Sequence, residues 1–356
     1  MDGWRRCEPV RGLRGVCLAL AWSACACLLL AASSASSATI NGTVFEDRNY
    51  GGGAGRSLAA SAGTGIPNVR VELYTPAGNY STFTTTSATG TYSFTGLAGG
   101  NSYTVRVANR SIVSTRATCA VGTCIPVQTF RTNAAPSAGG VVAVTDRVGG
   151  QNPALLDSVN NTTSATLASL TTGTTTPQSI TSVQLNNGGS TVSGINFGFN
   201  FDTIVNVANT GQGSLRQFVV NANALGGEGA LAQVGLTAGR ETSIFMIPNG
   251  VAQAGLNAAF ANQLTVGGAN GGAARITLAT ALPAITGPST ILDGRTQTTN
   301  VRATAGGAET NPGQIGSGGT VGTSATSLPL FDRPEVVINA AATLVSATGA
   351  PVGIIG

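Results

Sequence analysis

The stretch Thr203-Ile-Val-Asn-Val-Ala-Asn-Thr-Gly-Gln-Gly-Ser-Leu-Arg-Gln-Phe-Val-Val-Asn-Ala-Asn-Ala-Leu225 decides how this chain is read. Its opening residues, rich in Ile and Val, predict a short strand that runs into a glycine turn. Ser214 and Gln217 then stand at capping-box spacing, each able to satisfy a free N–H of a first helical turn. Leu215, Phe218, Val219, Ala222 and Leu225 fall on one apolar face of the helix that follows. Gly226-Gly227 stops it. Taken alone, the spacing fits an ordinary surface helix. It fits equally a helix that covers the open end of stacked strands, where unpaired edges and core would face water.

Residues further along favour the covering role. Ser243-Ile-Phe-Met-Ile-Pro248 predicts a strand ended by proline. Ile276-Thr-Leu278 and Thr290-Ile-Leu292 predict two more, the second running into Asp293-Gly294. In this order, over about 202–338, the pieces resemble the cap and first coils of right-handed parallel β-helix domains in large exported bacterial proteins. Such folds need several stacked coils to bury a core. Val352-Gly-Ile-Ile-Gly356 reads as the start of a strand. The expectation is therefore the N-terminal part of a longer protein, or a truncated gene model.

Composition narrows the chemistry. Charged residues make up only 9% of the 356, and there are 50 glycines. A soluble domain averages roughly 25% charged residues, so short strands and many turns fit better than charge-driven disorder. The chain has no His, and all 18 basic residues are Arg. Ser-His-Asp and Cys-His catalysis and His-ligated zinc are thereby excluded. So are a P-loop lysine, a Schiff base and Ser-Lys dyads. Carboxylate chemistry, Arg-assisted lyase chemistry and oxygen-ligated calcium remain open. The formal net charge is +4, with no basic run or basic-aromatic interleaving to predict nucleic-acid binding.

The first 38 residues have the three-part layout of a secretory signal: Arg5, Arg6, Arg11 and Arg14, an apolar run from Gly15 to Ala32, and the small residues Ser33 to Ala38. Cleavage is expected near Ala38. Alternatives are an uncleaved anchor, twin-arginine export from Arg5-Arg6, and lipidation at Cys25. No later segment is apolar enough to span a membrane, so the expected location is secreted or at a bacterial cell surface. Cys7, Cys17, Cys25 and Cys27 leave with the signal. Cys119 and Cys124 remain. They form a disulfide across a short turn in an oxidising compartment, or stand as two free thiols.

From Thr39, strand-like runs alternate with turns: Ile40–Phe45, Asn68–Tyr74, Ser81–Thr86, Thr91–Phe94 and Ser102–Val107. Val69, Val71 and Leu73 alternate with Arg70, Glu72 and Tyr74, the pattern of a half-buried strand, and such spacing predicts a small antiparallel sandwich. Four motifs occur in order: Gly42-Thr-Val-Phe-Glu-Asp-Arg-Asn-Tyr50, Gly65-Ile-Pro-Asn-Val-Arg-Val-Glu-Leu-Tyr74, Thr89-Gly-Thr-Tyr-Ser-Phe-Thr-Gly-Leu97 and Tyr103-Thr-Val-Arg-Val107. They resemble the B-type repeat of staphylococcal serine-aspartate surface proteins, within the wider collagen-adhesin B-type fold. Many relatives carry a Lys–Asn isopeptide cross-link, which a chain without Lys cannot form. The resemblance also implies a calcium loop of the form Asp-x-Asn-x-Asp-Gly. Here Asp47 and Asn49 match, but Gly51 stands where the second Asp would be. Calcium prefers six to eight oxygens with several carboxylates, so the alternative is a polar turn capped by Asp47.

The expected fold is all-β. It comprises a signal peptide (1–38), a B-type sandwich (39–110), a β-rich extension with a Ser/Thr-rich spacer (111–201), and the start of a parallel β-helix (202–356). The extension attaches to the sandwich. Residues Val183–Leu185 and Val192–Phe201 are its strand candidates. The expected function is a non-catalytic structural or adhesive surface protein, with the sandwich as stalk and the β-helix as a face for an extracellular polysaccharide or protein. One alternative is a polysaccharide lyase or glycosidase using Asp293, Asp332 or Glu335, since a hydrolase needs two acids about 5–9.5 Å apart. Another is a calcium-stiffened module of a secreted assembly.

Overall fold

Strand β1 (Ala38–Glu46) forms because apolar Ile40 and Val44 alternate with polar Asn41 and Thr43, giving one buried and one half-buried face. It is the spine of the first sheet. Strands β2 (Thr64–Gly65) and β5 (Thr91–Leu97) run antiparallel along one side of it. Along the other side lie β12 (Thr191–Val192) and β13 (Phe197–Asn200), both parallel to β1. Beyond β13 come β7 (Val127–Asn133) and β8 (Val142–Val144). The second sheet is antiparallel, in the order β11 (Ser179–Gln184), β6 (Ser102–Val107), β3 (Arg70–Tyr74) and β4 (Tyr80–Thr85). Between the sheets, Ile40, Val44, Val71, Leu73, Phe94, Val105, Phe197 and Phe199 form one core.

The computed structural model describes residues 37–116, 119–134, 140–159, 165–265 and 272–340. The signal-like segment up to Ser36 lies outside the described residues, as does the terminal stretch from 341. From Ser37 onward the chain forms one compact unit. None of its described helices is long and apolar enough to cross a membrane.

Two features of the sandwich differ from the sequence reading. The first sheet is mixed, not antiparallel, because β12 and β13 return in the same direction as β1. Strands β7, β11, β12 and β13, all beyond residue 110, complete the two sheets. The other difference concerns β3, which is buried on both faces. Glu72 and Tyr74, on the face that alternation assigns to solvent, are 0% exposed. The fully buried Arg106 on β6 explains this. Its Nη1 donates to Glu72 at 2.7 Å, and its Nη2 reaches Asp157 at 3.3 Å and the Ser158 carbonyl at 2.5 Å. Asp157 belongs to β9 (Leu156–Asp157), which pairs with β10 (Thr175–Thr176) in the Ser/Thr-rich segment. That segment is thus a cover over the sheet.

Beyond Asp202, strands pair in parallel: β14 (Thr203–Ile204) with β16 (Ile244–Phe245), β15 (Glu241–Thr242) with β18 (Thr290–Ile291), and β17 (Ala274–Leu278) with a strand at Val336–Ala340. Two short hairpin-like pairs project between β18 and that last strand, at 314–332. The helix α1 (Leu215–Leu225) packs Leu215, Phe218, Val219 and Ala222 into a core with Ile204, Phe245, Ile247 and Ile276. Leu225, on the same predicted face, joins the sandwich core instead.

The other side of α1 is also occupied. Asn221 Nδ2 donates to the Phe201 carbonyl at 2.7 Å, and Asn221 Oδ1 accepts the Ile125 N–H at 3.2 Å. Ser214 Oγ caps the helix, accepting the Gln217 N–H at 3.2 Å. The Gln217 side chain does not complete the capping box; it donates to the Thr123 carbonyl at 2.8 Å. An ordinary surface helix would leave that side to water. This one joins the sandwich to the parallel strands.

Replacing Asn221 by Leu leaves the buried Phe201 carbonyl and Ile125 N–H without these partners, which costs about 1–3 kcal/mol. Urea unfolding is expected to show that loss with an unchanged m-value. A stability equal to that of the parent would mean the helix does not hold the two regions together.

Candidate functional site

The loop after β1 carries the predicted calcium residues, and the structure sends each to a different partner. Asp47 Oδ1 accepts a hydrogen bond from Arg56, while its Oδ2 is buried with no partner. Burial pushes the Asp47 carboxyl up to about 6, with Arg56 acting in the opposite direction. Asn49 Oδ1 accepts the Ala232 N–H at 3.0 Å, and its carbonyl accepts the Val234 N–H at 3.1 Å. At Gly51, where an acid would complete the calcium pattern, a Cβ would lie 1.9 Å from the Val234 carbonyl oxygen. The glycine is thus required by the close approach of the 231–236 segment. The single carboxylate is paired with a guanidinium and the amide oxygen is taken, so these residues do not fit a calcium cage. Among the described residues, no group of three or more His, Cys, Asp or Glu side chains is placed to hold a metal ion.

Glu46, the neighbour of Asp47 in the chain, belongs to a feature with no sequence signature. Arg116, 1% exposed at its side chain, inserts among four carboxylates. Its Nε donates to Glu46 at 2.9 Å, Nη1 donates to both oxygens of Glu241 at 2.9 and 3.0 Å, and Nη2 reaches Asp202 at 3.3 Å. Glu228 lies 3.8 Å from Nε and also pairs with Arg48 at 3.1 Å. Glu46 accepts further bonds from Ser114 Oγ at 2.9 Å and from the Thr115 N–H at 2.6 Å. Asp202 Oδ2 accepts from Gln233 Nε2 at 3.0 Å.

The electrostatics follow from this crowding. Burial works against the Arg116 charge, but the carboxylates of Asp202, Glu241, Glu46 and Glu228 outweigh it and raise its pKa further. Burial, followed by the adjacent Asp202, raises the Glu241 carboxyl far above the usual carboxylate range, while Arg116 acts in the opposite direction. Chemically this is a closed structural joint. Glu46 comes from the first sheet, Asp202 from the link leaving it, and Glu228 and Glu241 from the parallel-strand region. No short motif marks these five positions, and only the spatial meeting identifies them.

The remaining predicted site residues are scattered. Cys119 and Cys124 are joined by a disulfide, with their Cα atoms 6.0 Å apart, and both are buried against the sandwich core. Ala38, the expected cleavage position, is the first residue of β1; it pairs with Leu97 and is 0% exposed. Asp293 forms an exposed pair with Arg295 at 2.8 Å. Asp332 sits near Gln314 on an exposed hairpin. Glu335 is buried, accepting the Asn311 N–H at 2.9 Å and a bond from Thr310. The three acids are thus engaged in separate local contacts.

The span from Ala38 to the disulfide also matches a known family. Residues 38–124 match the family model of the SdrD B-like domain. No curated protein matches the chain. The SdrD B-like span begins on the first residue of β1 and ends on Cys124. It contains Glu46, Asp47 and Arg116, whereas Asp202, Glu228 and Glu241 lie outside it.

Three outcomes are expected. Arg116→Met leaves Glu46 and Asp202 buried without their cation and costs about 3–5 kcal/mol, whereas Glu241→Gln, which mimics the protonated acid, costs under about 1 kcal/mol at pH 7. Denaturant midpoints of the two variants decide this, and equal losses would contradict it. Gly51→Asp, which restores the calcium pattern, is expected to lower stability by about 1–3 kcal/mol through overpacking and to give no rise in melting temperature with millimolar calcium. Finally, the Asp47 pKa of about 6 exceeds its ordinary 3.8, so the folded chain holds a proton the unfolded chain has released. The stability tied to Asp47 is therefore fully present below pH 3.8 and declines as pH rises through 6. Asp47→Asn should flatten that part of the pH–stability curve; an unchanged slope would show that Asp47 is not its source.

Proposed function

We propose that this chain is a non-catalytic, exported structural or adhesive protein of a bacterial surface or extracellular matrix. Its SdrD B-like sandwich serves as a stalk module. Residues 202–340 serve as the cap and opening coils of a right-handed parallel β-helix, whose elongated face takes an extracellular polysaccharide or protein.

The observation that carries this reading is the join. The sandwich connects to parallel strand pairs through α1 and through Arg116, both buried between the two regions. A stalk needs a stiff connection of this kind, because a flexible linker would not hold a binding region at a fixed angle. The helix covering one end of the parallel strands supports the β-helix part, since a stack of coils must shield its open end. The signal-like layout up to Ala38 and the disulfide agree with export into an oxidising compartment. The separate engagement of Asp293, Asp332 and Glu335 favours this reading over a lyase or glycosidase.

The test is the mass and location of the native product in fractionated cells and medium. A surface or medium species lacking the first 38 or so residues is expected. A cytoplasmic species with its N-terminus intact would overturn the reading.

A further inference from the structure

An open groove of about 700 Å³ lies on the sandwich where β1, β4 and β5 come together. Its walls include Asn41 and Thr43 of β1, Thr84 and Thr85 of β4, Ser93 of β5, and Asn196. The register explains the polar surface. Asn41 pairs with Ser93 and Thr43 with Thr91, so their side chains share one face, while Ile40, Val44, Tyr92 and Phe94 turn into the core. No residue in its lining is charged.

The floor is rigid for a specific reason. Strand β12 pairs with β1 only at Thr39 and Ile40, and β13 pairs only from Val44. Between them the Asn196 side chain takes over, its Oδ1 accepting the Thr43 N–H at 2.9 Å. Beneath, Tyr92 Oη donates to the Ile195 carbonyl at 2.6 Å. Gly42 is needed there, since a Cβ would lie 1.7 Å from that oxygen. Asn196 Nδ2, the Asn41 amide and the hydroxyls of Thr43, Thr84, Thr85 and Ser93 have no hydrogen-bond partner among the described residues. They are donors and acceptors facing a preformed groove whose volume lies in the range of ligand sites.

We propose that this groove binds an uncharged polyhydroxylated chain, a neutral glycan. Sugar hydroxyls both donate and accept, as do the hydroxyls and amides that line the groove. An acidic polysaccharide would find no cation there, and a basic peptide no anion. A strand-adding peptide would pair with the main-chain groups of the edge strands β4 and β5, whereas the donors and acceptors argued here are side-chain hydroxyls and amides. The site does not depend on the stalk-and-coil reading, as it lies wholly within the sandwich.

The test uses the isotopically labelled chain without its signal segment, titrated with cellohexaose, xylohexaose and maltohexaose. Hexagalacturonate and a Ser/Thr/Gly peptide serve as charged and peptide counter-probes. At least one neutral hexasaccharide is expected to shift the amide signals of Asn41, Thr43, Thr84, Ser93 and Asn196. Ser93→Arg, an exposed change, should weaken that binding at least about tenfold with the melting temperature unchanged. The proposal is overturned if no neutral sugar moves these signals, if a counter-probe binds there instead, or if Ser93→Arg binds as tightly as the parent.

Discussion

A single buried guanidinium, that of Arg116, determines how the rest of this molecule is arranged. Burying Glu46, Asp202 and Glu241 without a cation would cost several kcal/mol for each ion left charged. Arg116 meets Glu46, Asp202 and Glu241 directly, and Glu228 at longer range. Those acids come from the end of β1, from the link that follows β13, and from residues 228–241. The network therefore fixes the angle between the sandwich and the parallel strands more than it adds net stability, since a buried ion pair is rarely better than well-packed apolar groups. The raised pKa of Glu241 belongs to the same crowding, because burial and Asp202 both disfavour its charge.

The neighbouring contacts obey the same geometry. The loop from Asp47 to Gly53 holds the 231–236 segment through Asn49 and through the missing side chain of Gly51. On the opposite flank, α1 buries apolar residues in one region and bonds to main-chain groups of the other through Gln217 and Asn221. A loop whose residue pattern resembles a cation site has thus become a protein–protein contact within one chain. The physical reason is the approach of Val234, which leaves no room for the second acid.

Much of the fold was legible in the sequence where the signal is local. Strand-like runs between turn signals placed β1, β3, β4, β5 and β6 to within a few residues, and the Ser214 cap and apolar spacing placed α1. Sheet order was not legible, because β13 meets β1 across some 150 residues of chain, a distance at which no periodicity speaks. The burial of Glu72 and Tyr74 was hidden for a related reason: their partner Arg106 is covered by residues 156–159, which come from a different stretch. At the candidate site, Asp47 and Asn49 were visible as a motif, yet their partners Arg56, Ala232 and Val234 were not. No local pattern marks Arg116, as its role depends on acids brought together only by folding.

The most direct measurement of the central claim is native-state hydrogen exchange across a denaturant series. If Arg116 and α1 join the two regions, the amides of Val44–Asp47, Phe201–Ile204 and Thr242–Phe245 should open in one cooperative step with a common free energy. Exchange of the parallel strands through a separate, lower-energy opening, with the sandwich still protected, would contradict the account.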